Sequence, residues 1–318
     1  MVMNEPDNEA LRSSEANPAV ENHSVESASP TRTPMYQALN AERYQRQNLI
    51  RSIQDRWGNG NRLICYVGGG KTSVAREDTL GIIEILHNIP PNTNLDFLLH
   101  TGGGDVDAAE KLMHMVRSTV GSNQLRVIVP DFAKSAGTLM ALAADYIVMS
   151  DSSELGPVDP QIVLGDGRGN YILHSVMNYL DAFESYSQQL RDNPNDAVAR
   201  LMLAKLEPAT EKAFRAAKDR AQRLAESHLH RWMFREQQGT YTKIASDLMD
   251  TKRWLTHGQM IGYQAAQELG LRVQYLKPTC EQWRDYWQLY CQQRLAVKDS
   301  QKLFESDYAS LPFDGSMA

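Results

Sequence analysis

A serine among small residues at a strand-to-helix bend is the first feature of the sequence that could perform chemistry. Ser135 lies in the segment KSAGT (residues 134–138), after a short apolar stretch and before a run of small residues. At such a bend the hydroxyl group faces solvent above the N-terminus of the following helix, where it can act as a nucleophile. The alternative is a structural role, in which Ser135 only caps that helix.

A glycine run one crossover earlier could supply the complementary groups. The segment HTGGG (residues 100–104) ends an apolar strand and precedes a helix. Backbone N–H groups at such a turn are unpaired, and the helix dipole favours negative charge above them. Taken alone, the run also suits a tight turn that needs positive φ. Together with a serine hydroxyl, it forms the parts of an acyl-transfer site with an oxyanion hole.

A second glycine run resembles a nucleotide-binding loop, but its spacing disfavours that interpretation. The segment GGGKT (residues 68–72) follows a strand, yet the P-loop pattern needs a glycine where Cys65 stands. The next apolar strand ends in His100, not in the aspartate that would hold Mg²⁺. The run is interpreted as a flexible turn, and an NTPase is the last of the candidate functions.

The elements that position these segments alternate between strand and helix. Short apolar runs at 63–67, 95–99, 125–129 and 146–149 alternate with helical patterns at 77–87, 105–118 and 135–144. This alternation predicts parallel βαβ units and an α/β fold, followed by a mainly helical second half.

Composition along the chain predicts four segments. They are a disordered polar tail (1–34), an amphipathic helical arm (35–58), the α/β body (59–277), and a C-terminal helix with a polar tail (278–318). The apolar stripe of the arm needs a surface to cover, so the arm is expected to pack on the body or on another subunit.

Overall composition excludes several classes of protein. The 318 residues are 42% hydrophobic and 23% charged, as in soluble globular proteins, and the net charge of −6 makes nucleic acid an unlikely partner. No apolar run reaches the roughly 18 to 20 residues of a membrane span, and the first residues do not resemble a signal peptide. The three cysteines lack metal-ligand spacing. We therefore expect a cytoplasmic protein without metal or cofactor.

Three stretches together resemble the ClpP/crotonase-fold serine proteases. They are LLHTGGG (98–104), KSAGTL (134–139) with AAD (143–145), and LGPVDPQ (155–161). The sequence is most similar to the serine dehydrogenase proteinase family, a relative of signal peptide peptidase A, over about residues 62 to 276. The resemblance implies a ClpP/crotonase-like fold of stacked βαβ units with a helical C-terminal half.

The resemblance also implies roles for individual residues. Ser135 matches the nucleophile. The amides of Gly103 or Gly104 and of Ala136 match the donors of the oxyanion hole. Asp159 is expected to line the cleft near the serine. This agrees with the chemistry, because an oxyanion needs two converging donors, and losing one typically slows catalysis by about 10²–10³.

The general base is the part of the site that the sequence leaves open. The Clp proteolytic subunit uses histidine and aspartate, but the matching stretch 155–161 contains no histidine, and Lys252 stands at the position resembling the aspartate. The membrane-peptidase relatives use a lysine, which must be kept neutral by burial. The candidates are Lys252 and His257, with Lys205 and Lys212 behind them. His257 is preferred, since an imidazole needs less perturbation than a lysine to act near pH 7.

Two further residues near these turns are not expected to react. Lys134, directly before the serine, is expected to point elsewhere along the turn. His100 is expected to hold the glycine turn. Neither is chosen as the base.

The leading hypothesis is a serine endopeptidase that forms an acyl-enzyme on unfolded or extended polypeptides. One alternative is a catalytically silent scaffold of the same fold, favoured by the missing triad histidine. Another is a crotonase-like acyl-thioester enzyme, although a serine at this position is unlike the acidic residues that thioester isomerases need. The resemblance implies a symmetric homo-oligomer. Whether an unfoldase or regulator is a partner stays open.

Overall fold

The computed structural model describes residues 33–165, 171–205, 208–235 and 240–315. They belong to two compact units, the first ending at Asn40 and the second starting at Ala41. The first unit contains helix α1 (Pro34–Leu39), which follows the capping residue Thr33. Apart from Thr33 and Pro34, the tail predicted for residues 1–34 lies outside the described residues.

Most strands of the second unit lie in one mixed sheet. The strands of the described residues are β1 (Arg62–Gly68), β2 (Leu95–His100), β3 (Leu125–Ile128), β4 (Phe132–Ala133), β5 (Tyr146–Met149), β6 (Glu154–Leu155), β7 (Gln161–Gly165), β8 (Tyr171–Ser175), β9 (Val273–Tyr275), β10 (Gln301–Glu305) and β11 (Ser310–Asp314). Seven of these form the main sheet, in the order β11-β10-β1-β2-β3-β5-β9. The five strands from β1 to β9 are parallel, and β10 and β11 add an antiparallel edge. Outside the main sheet, β4 pairs with β6 and β7 pairs with β8.

Helices cover both faces of the main sheet. In the described residues of the second unit they are α2 (Ala41–Ile53), α3 (Asp78–Leu86), α4 (Val106–Val120), α5 (Ala136–Ala141), α6 (Val176–Asp192), α7 (Ala197–Ala204), α8 (Pro208–His228), α9 (Thr240–Leu248), α10 (Tyr263–Glu268) and α11 (Glu281–Ala296). A π-helical turn extends α2 through Gln54–Gly58, and another extends α8 through Leu229–Met233. None of the helices described is both long and apolar enough to span a bilayer.

Side chains of the central strands alternate between two hydrophobic cores. Phe97 and Leu99 of β2 pack with α3, α4 and α5 on one face of the sheet, whereas Leu98 packs on the other. The second face is covered by α2 and α11, which contribute Ile50 and Tyr286. Parallel strands covered on both faces are typical of α/β proteins, so the predicted class is confirmed.

The ends of α4 follow the sequence closely. The Asp105 carboxylate accepts hydrogen bonds from the N–H groups of Asp107 (2.7 Å) and Ala108 (3.0 Å), as expected for an N-cap. The helix ends at Gly121, which has a φ of 62°. The Asp105 cap fixes where the glycine turn ends and α4 begins.

The C-terminal segment differs from its prediction. The sequence predicts a helix and then a polar tail, but after α11 the chain forms β10 and β11. The strand β10 includes Lys302 and Glu305, and both are buried in ion pairs. Lys302 Nζ lies 2.6 Å from Asp78 Oδ1, and Glu305 Oε1 lies 3.0 Å from Arg46 Nε. A charge is tolerated inside a sheet when an opposite charge meets it, and these partners are distant in sequence.

Candidate active site

Ser135 occupies a strained turn between β4 and α5. Its backbone has a φ of 52° and a ψ of −115°, a region that non-glycine residues rarely adopt. Such a conformation costs on the order of 1–3 kcal/mol and persists where the surrounding structure enforces it. The side chain makes no capping hydrogen bond to α5. The hydroxyl group is therefore not used as a helix cap.

The glycine turn after β2 packs directly against the serine turn. The N–H group of Lys134 donates to the Thr101 carbonyl oxygen at 3.0 Å and joins the two turns. Gly103 has a φ of 101°, and Gly104 has a φ of 149°. A Cβ atom on Gly103 would lie 2.8 Å from Ser135 Cβ and 2.7 Å from the Lys134 carbonyl oxygen. Glycine is therefore required at 103 for both its conformation and its contacts.

The three predicted oxyanion donors differ in whether their N–H groups are free. The N–H group of Gly103 donates to Thr101 Oγ1 at 3.2 Å. Among the residues that the structure describes, no acceptor meets the N–H groups of Gly104 and Ala136. Ala136 is the first residue of α5, where a helix leaves N–H groups unpaired. Gly104 and Ala136 thus have donors available for a ligand.

Ser135 and His257 line the same open cavity of about 740 Å³. All three glycines of the turn also line it. Other lining residues include Thr72 from the loop after β1 and Gln161 from β7. This volume falls within the roughly 300–1,000 Å³ of typical ligand pockets. The cavity therefore has room for a substrate beside the serine and the glycine turn.

His257 stands beside a carboxylate that is itself held in place. His257 Nδ1 lies 3.4 Å from Asp159 Oδ2, close enough for an ion pair, although the contact does not have hydrogen-bond geometry. Asp159 Oδ1 accepts hydrogen bonds from Ser175 Oγ at 3.0 Å and from the N–H group of Met177 at 3.3 Å. The Asp159 side chain is largely buried at the start of α6. Catalytic contacts are often loose without substrate, so the arrangement can serve a serine–histidine–aspartate mechanism.

Comparison with known proteins identifies the family. The family model for ClpP-like SDH-type serine proteinases matches residues 72–304. The chain belongs to this family. Residues 72–304 include the serine turn, the glycine turn and His257. The expected relationship and fold are thereby confirmed.

The curated relatives are uncharacterized proteins of Methanocaldococcus jannaschii. One is 32% identical over 197 residues, which cover 62% of this chain and 59% of the relative. Another is 37% identical over 121 residues, which cover 36% of each protein. The chain therefore spans less than two thirds of the length of the relatives it matches.

Similar solved structures include two proteases. A serine-to-alanine mutant of the membrane-bound stomatin-specific protease 1510-N has a TM-score of 0.38 and 15% identity, over 68% of this chain and 80% of that one. ClpP1 from Listeria monocytogenes has a TM-score of 0.38 and 12% identity, over 75% of this chain and 96% of that one. Both are distant likenesses.

The lysines considered as bases lie away from the cavity. Lys252 is exposed, and it is not among the cavity-lining residues of the described chain. Lys205 and Lys212 are also exposed. Lys134 Nζ lies 2.9 Å from Glu154 Oε2 of β6, and Lys134 is not among the cavity-lining residues of the described chain. His257 is the one of the two leading candidates that shares the cavity with Ser135.

His100 is buried directly before the glycine turn. Burial, aided by the positive charge of Arg294, lowers the pKa of His100 to about 3. The Tyr290 hydroxyl lies 3.3 Å from His100 Nδ1, and the His100 ring packs on Phe132 with centroids 4.1 Å apart. A neutral, packed imidazole in this place agrees with a supporting position for His100.

Sequence patterns did not predict the contact between His257 and Asp159. The resemblance predicts that Asp159 lines the cleft, and His257 was a separate candidate. Their pairing depends on how the loop before α10 folds back towards the start of α6, which no local pattern indicates. Ser175 was also missed, because a serine at a helix N-cap is common and its second bond to Asp159 is a tertiary contact.

Proposed function

We propose that the protein is a serine endopeptidase, with Ser135 as nucleophile and His257 as general base. The single observation that supports this most is the cavity that Ser135 and His257 share, together with the Asp159 carboxylate beside His257 Nδ1. A serine hydroxyl is a weak nucleophile until a neighbouring base takes its proton, and a third group usually orients that base.

The proposed reaction divides peptide hydrolysis into two steps. In the first, His257 Nε2 takes the proton of Ser135 Oγ, and Oγ attacks the substrate carbonyl carbon. The protonated imidazole then gives the proton to the leaving amine, and the acyl group stays on Ser135. In the second step, water loses a proton to His257 and attacks the ester, which releases the acid and restores Ser135 Oγ–H. Asp159 stabilises the imidazolium in both steps.

Gly104 and Ala136 are proposed as the oxyanion donors. Their N–H groups have no acceptor in the described structure, whereas the Gly103 N–H group donates to Thr101. Gly103 instead provides the close approach of the glycine turn to Ser135. Two free donors that need no rearrangement are worth more in the transition state than donors that must first break a bond.

An extended polypeptide is the proposed substrate. The cavity is bordered by backbone of the glycine turn and by Gln161 at the start of β7. Backbone groups at a strand edge can bind a peptide as an added strand, with its side chains alternating between the two sides. This mode recognises the peptide backbone and so suits many sequences.

We also propose a homo-oligomer located in the cytoplasm. Val163, Tyr171 and Leu173 expose large apolar side chains on the β7–β8 pair, and a second copy of the chain would cover them. All three cysteines fall in the described residues and are free thiols, the state that a reducing compartment maintains. Light scattering tests the assembly, and a monomeric mass at micromolar concentration would contradict it.

Labelling with a fluorophosphonate probe and turnover of an unstructured protein such as casein test the activity. Ser135→Ala should abolish both, with little change in melting temperature, because only one hydroxyl oxygen, which makes no capping bond, is removed. His257→Ala should reduce turnover nearly as much, while Lys252→Ala, its matched control, should retain most activity. Equal turnover in wild type and Ser135→Ala would refute the assignment. A severe loss in Lys252→Ala alone would move the base to Lys252.

A further inference from the structure

The side chain of Lys134 links three segments around the proposed site. Its ammonium group lies 2.9 Å from Glu154 Oε2. It also donates to the carbonyl oxygens of Gly258 at 3.3 Å, of Gln259 at 3.4 Å and of Leu155 at 3.4 Å. Two of these carbonyls belong to the residues directly after His257. One cation therefore connects the residue before the nucleophile with the loop of the base.

The path of this side chain depends on a glycine in the LGPVD segment. A Cβ atom on Gly156 would lie 2.7 Å from Lys134 Cδ, so only glycine leaves room for the aliphatic stem. Gly156 is itself tied to α5, because its N–H group donates to Thr138 Oγ1 at 3.0 Å and its carbonyl accepts from that hydroxyl at 2.9 Å. The Lys134 side chain is only 13% exposed. The Lys134 side chain is therefore held along a defined path from the serine turn to residues 255–259, the base loop that carries His257.

The base loop is held at both ends and has few other anchors between them. On one side the Trp254 N–H group donates to the Asp250 carbonyl at 2.8 Å, and on the other Ile261 and Leu155 exchange two backbone hydrogen bonds at 2.9 and 3.0 Å. Within the described residues, the hydrogen bonds of residues 255–259 other than those to Lys134 are internal, from Leu255 N–H to Gln259 Oε1 and from Gln259 N–H to the Thr256 carbonyl. The remaining polar contact is the one between His257 and Asp159. Without the ammonium, the described hydrogen bonds would tie the loop to the serine turn only indirectly, through Ile261, β6 and β4.

We propose that Lys134 is a positioning residue that sets the distance between His257 and Ser135, with Glu154 balancing its charge. This inference rests on the proposed function. Lys134 and Ser135 are adjacent in the chain, so a bond from the Lys134 ammonium to the Gly258 and Gln259 carbonyls limits how far the imidazole can move from Oγ. An ammonium has three donors, which suit several carbonyl and carboxylate oxygens at once. Glu154 offsets the cost of burying that charge.

The test compares Lys134→Met, Lys134→Arg and the exposed control Lys243→Met, measured by steady-state kinetics and amide hydrogen exchange. Methionine keeps an apolar stem beside Gly156 but removes the cation. We expect Lys134→Met to lower kcat by roughly 10- to 100-fold with little change in KM, since small misplacements of a catalytic group have such effects. Amide exchange should rise in residues 256–259 and not in α5. Lys134→Arg should recover part of kcat, and Lys243→Met should match wild type.

Three outcomes would overturn the proposal. They are a kcat within twofold of wild type in Lys134→Met, a loss of kcat without faster exchange in residues 256–259, or a loss in Lys134→Arg as large as in Lys134→Met. If Lys134→Met folds poorly by its melting temperature, Lys134→Gln replaces it with the same expectations. Failure of the proposed function gives a different result, because wild type and Ser135→Ala would then be equal in turnover.

Discussion

Two neighbouring strands of the sheet end in the same three residues, yet the two glycine triplets are used differently. Residues 68–70 begin at the last residue of β1, and residues 102–104 begin two positions after the end of β2, its parallel neighbour. In the first triplet, the N–H group of Gly69 donates to the Gln301 carbonyl at 2.8 Å. In the second, the N–H group of Gly104 has no acceptor in the described structure.

The first triplet allows a close approach between its own backbone and the backbone of residues 298–299. A Cβ atom on Gly69 would overlap the carbonyl oxygens of Lys298 and Asp299, and the Lys71 N–H group donates to the Asp299 carbonyl at 2.8 Å. The N–H groups of Gly69 and Lys71 are thus bonded to the segment before and at the start of β10, which agrees with the turn interpretation of GGGKT. The second triplet has two positive-φ residues and faces Ser135. The same residue string mainly serves packing in one place and borders the proposed reaction site in the other, although Gly70 of the first triplet also lines the cavity.

The largest effect should come from breaking the second triplet. Gly103→Ala places a methyl group 2.8 Å from Ser135 Cβ at a φ of 101°, so the serine turn must move. We expect turnover per folded molecule to fall by about 10²-fold or more, as when an oxyanion donor or nucleophile is displaced. Gly102→Ala is the matched control, because no atom lies within 4 Å of its Cβ position. Peptidase assays and probe labelling of both variants check this, and equal activity would contradict it.

Breaking the first triplet should change stability instead. Gly69→Ala forces the backbone of β1 away from the loop before β10, and we expect a loss of about 1–3 kcal/mol in the free energy of unfolding. Gly70→Ala should stay within about 0.5 kcal/mol, since its nearest contact is a side-chain oxygen of Asp299 at 3.6 Å. Urea denaturation measures both. A Gly69→Ala protein that is stable but inactive would show that the first triplet also belongs to the site.

A smaller, pH-dependent difference should separate the two turns. His100 ends β2 two positions before the second triplet, and burial lowers its pKa to about 3 from the 6.5 of an exposed imidazole. Between these two values the unfolded chain binds more protons than the folded one. The free energy of unfolding is therefore highest above pH 6.5 and falls as the pH drops towards 3. Lowering the pH by one unit from 6.5 should reduce the free energy of unfolding by about 1 kcal/mol.

The measurement is the free energy of unfolding at neutral and mildly acidic pH. His100→Asn should reduce the acid sensitivity by this amount, while the exposed His87→Asn serves as its control. Amide exchange at residues 102–104 should increase on acidification more than at residues 68–70. Identical acid sensitivity in wild type and His100→Asn would show that His100 does not distinguish the turns.

Local signals in the sequence predicted most central elements and the bend at Ser135. The strand β5 matches the predicted 146–149, and Asp105 caps α4 as expected, because apolar periodicity and capping act within one or two turns of chain. The small residues around Ser135 indicated a bend, but not its φ of 52°. That conformation accompanies a tertiary contact that no local pattern shows, in which Gly103, from the turn after β2, packs against Ser135.

The sequence by itself determined which residues could react and which segments between residues 62 and 149 form the main strands and helices, since these depend on residue type and local spacing. It did not predict β10 and β11. The tertiary structure decided which of them meet. His257 lies beside Asp159 and shares a cavity with Ser135, whereas Lys252, only five positions earlier, is exposed. In the same way, residue type alone favours a surface position for Lys302, but the structure buries it in an ion pair with Asp78 of α3. Burial of a charge and the partner of a base depend on contacts between distant segments, and these contacts form only when the chain packs.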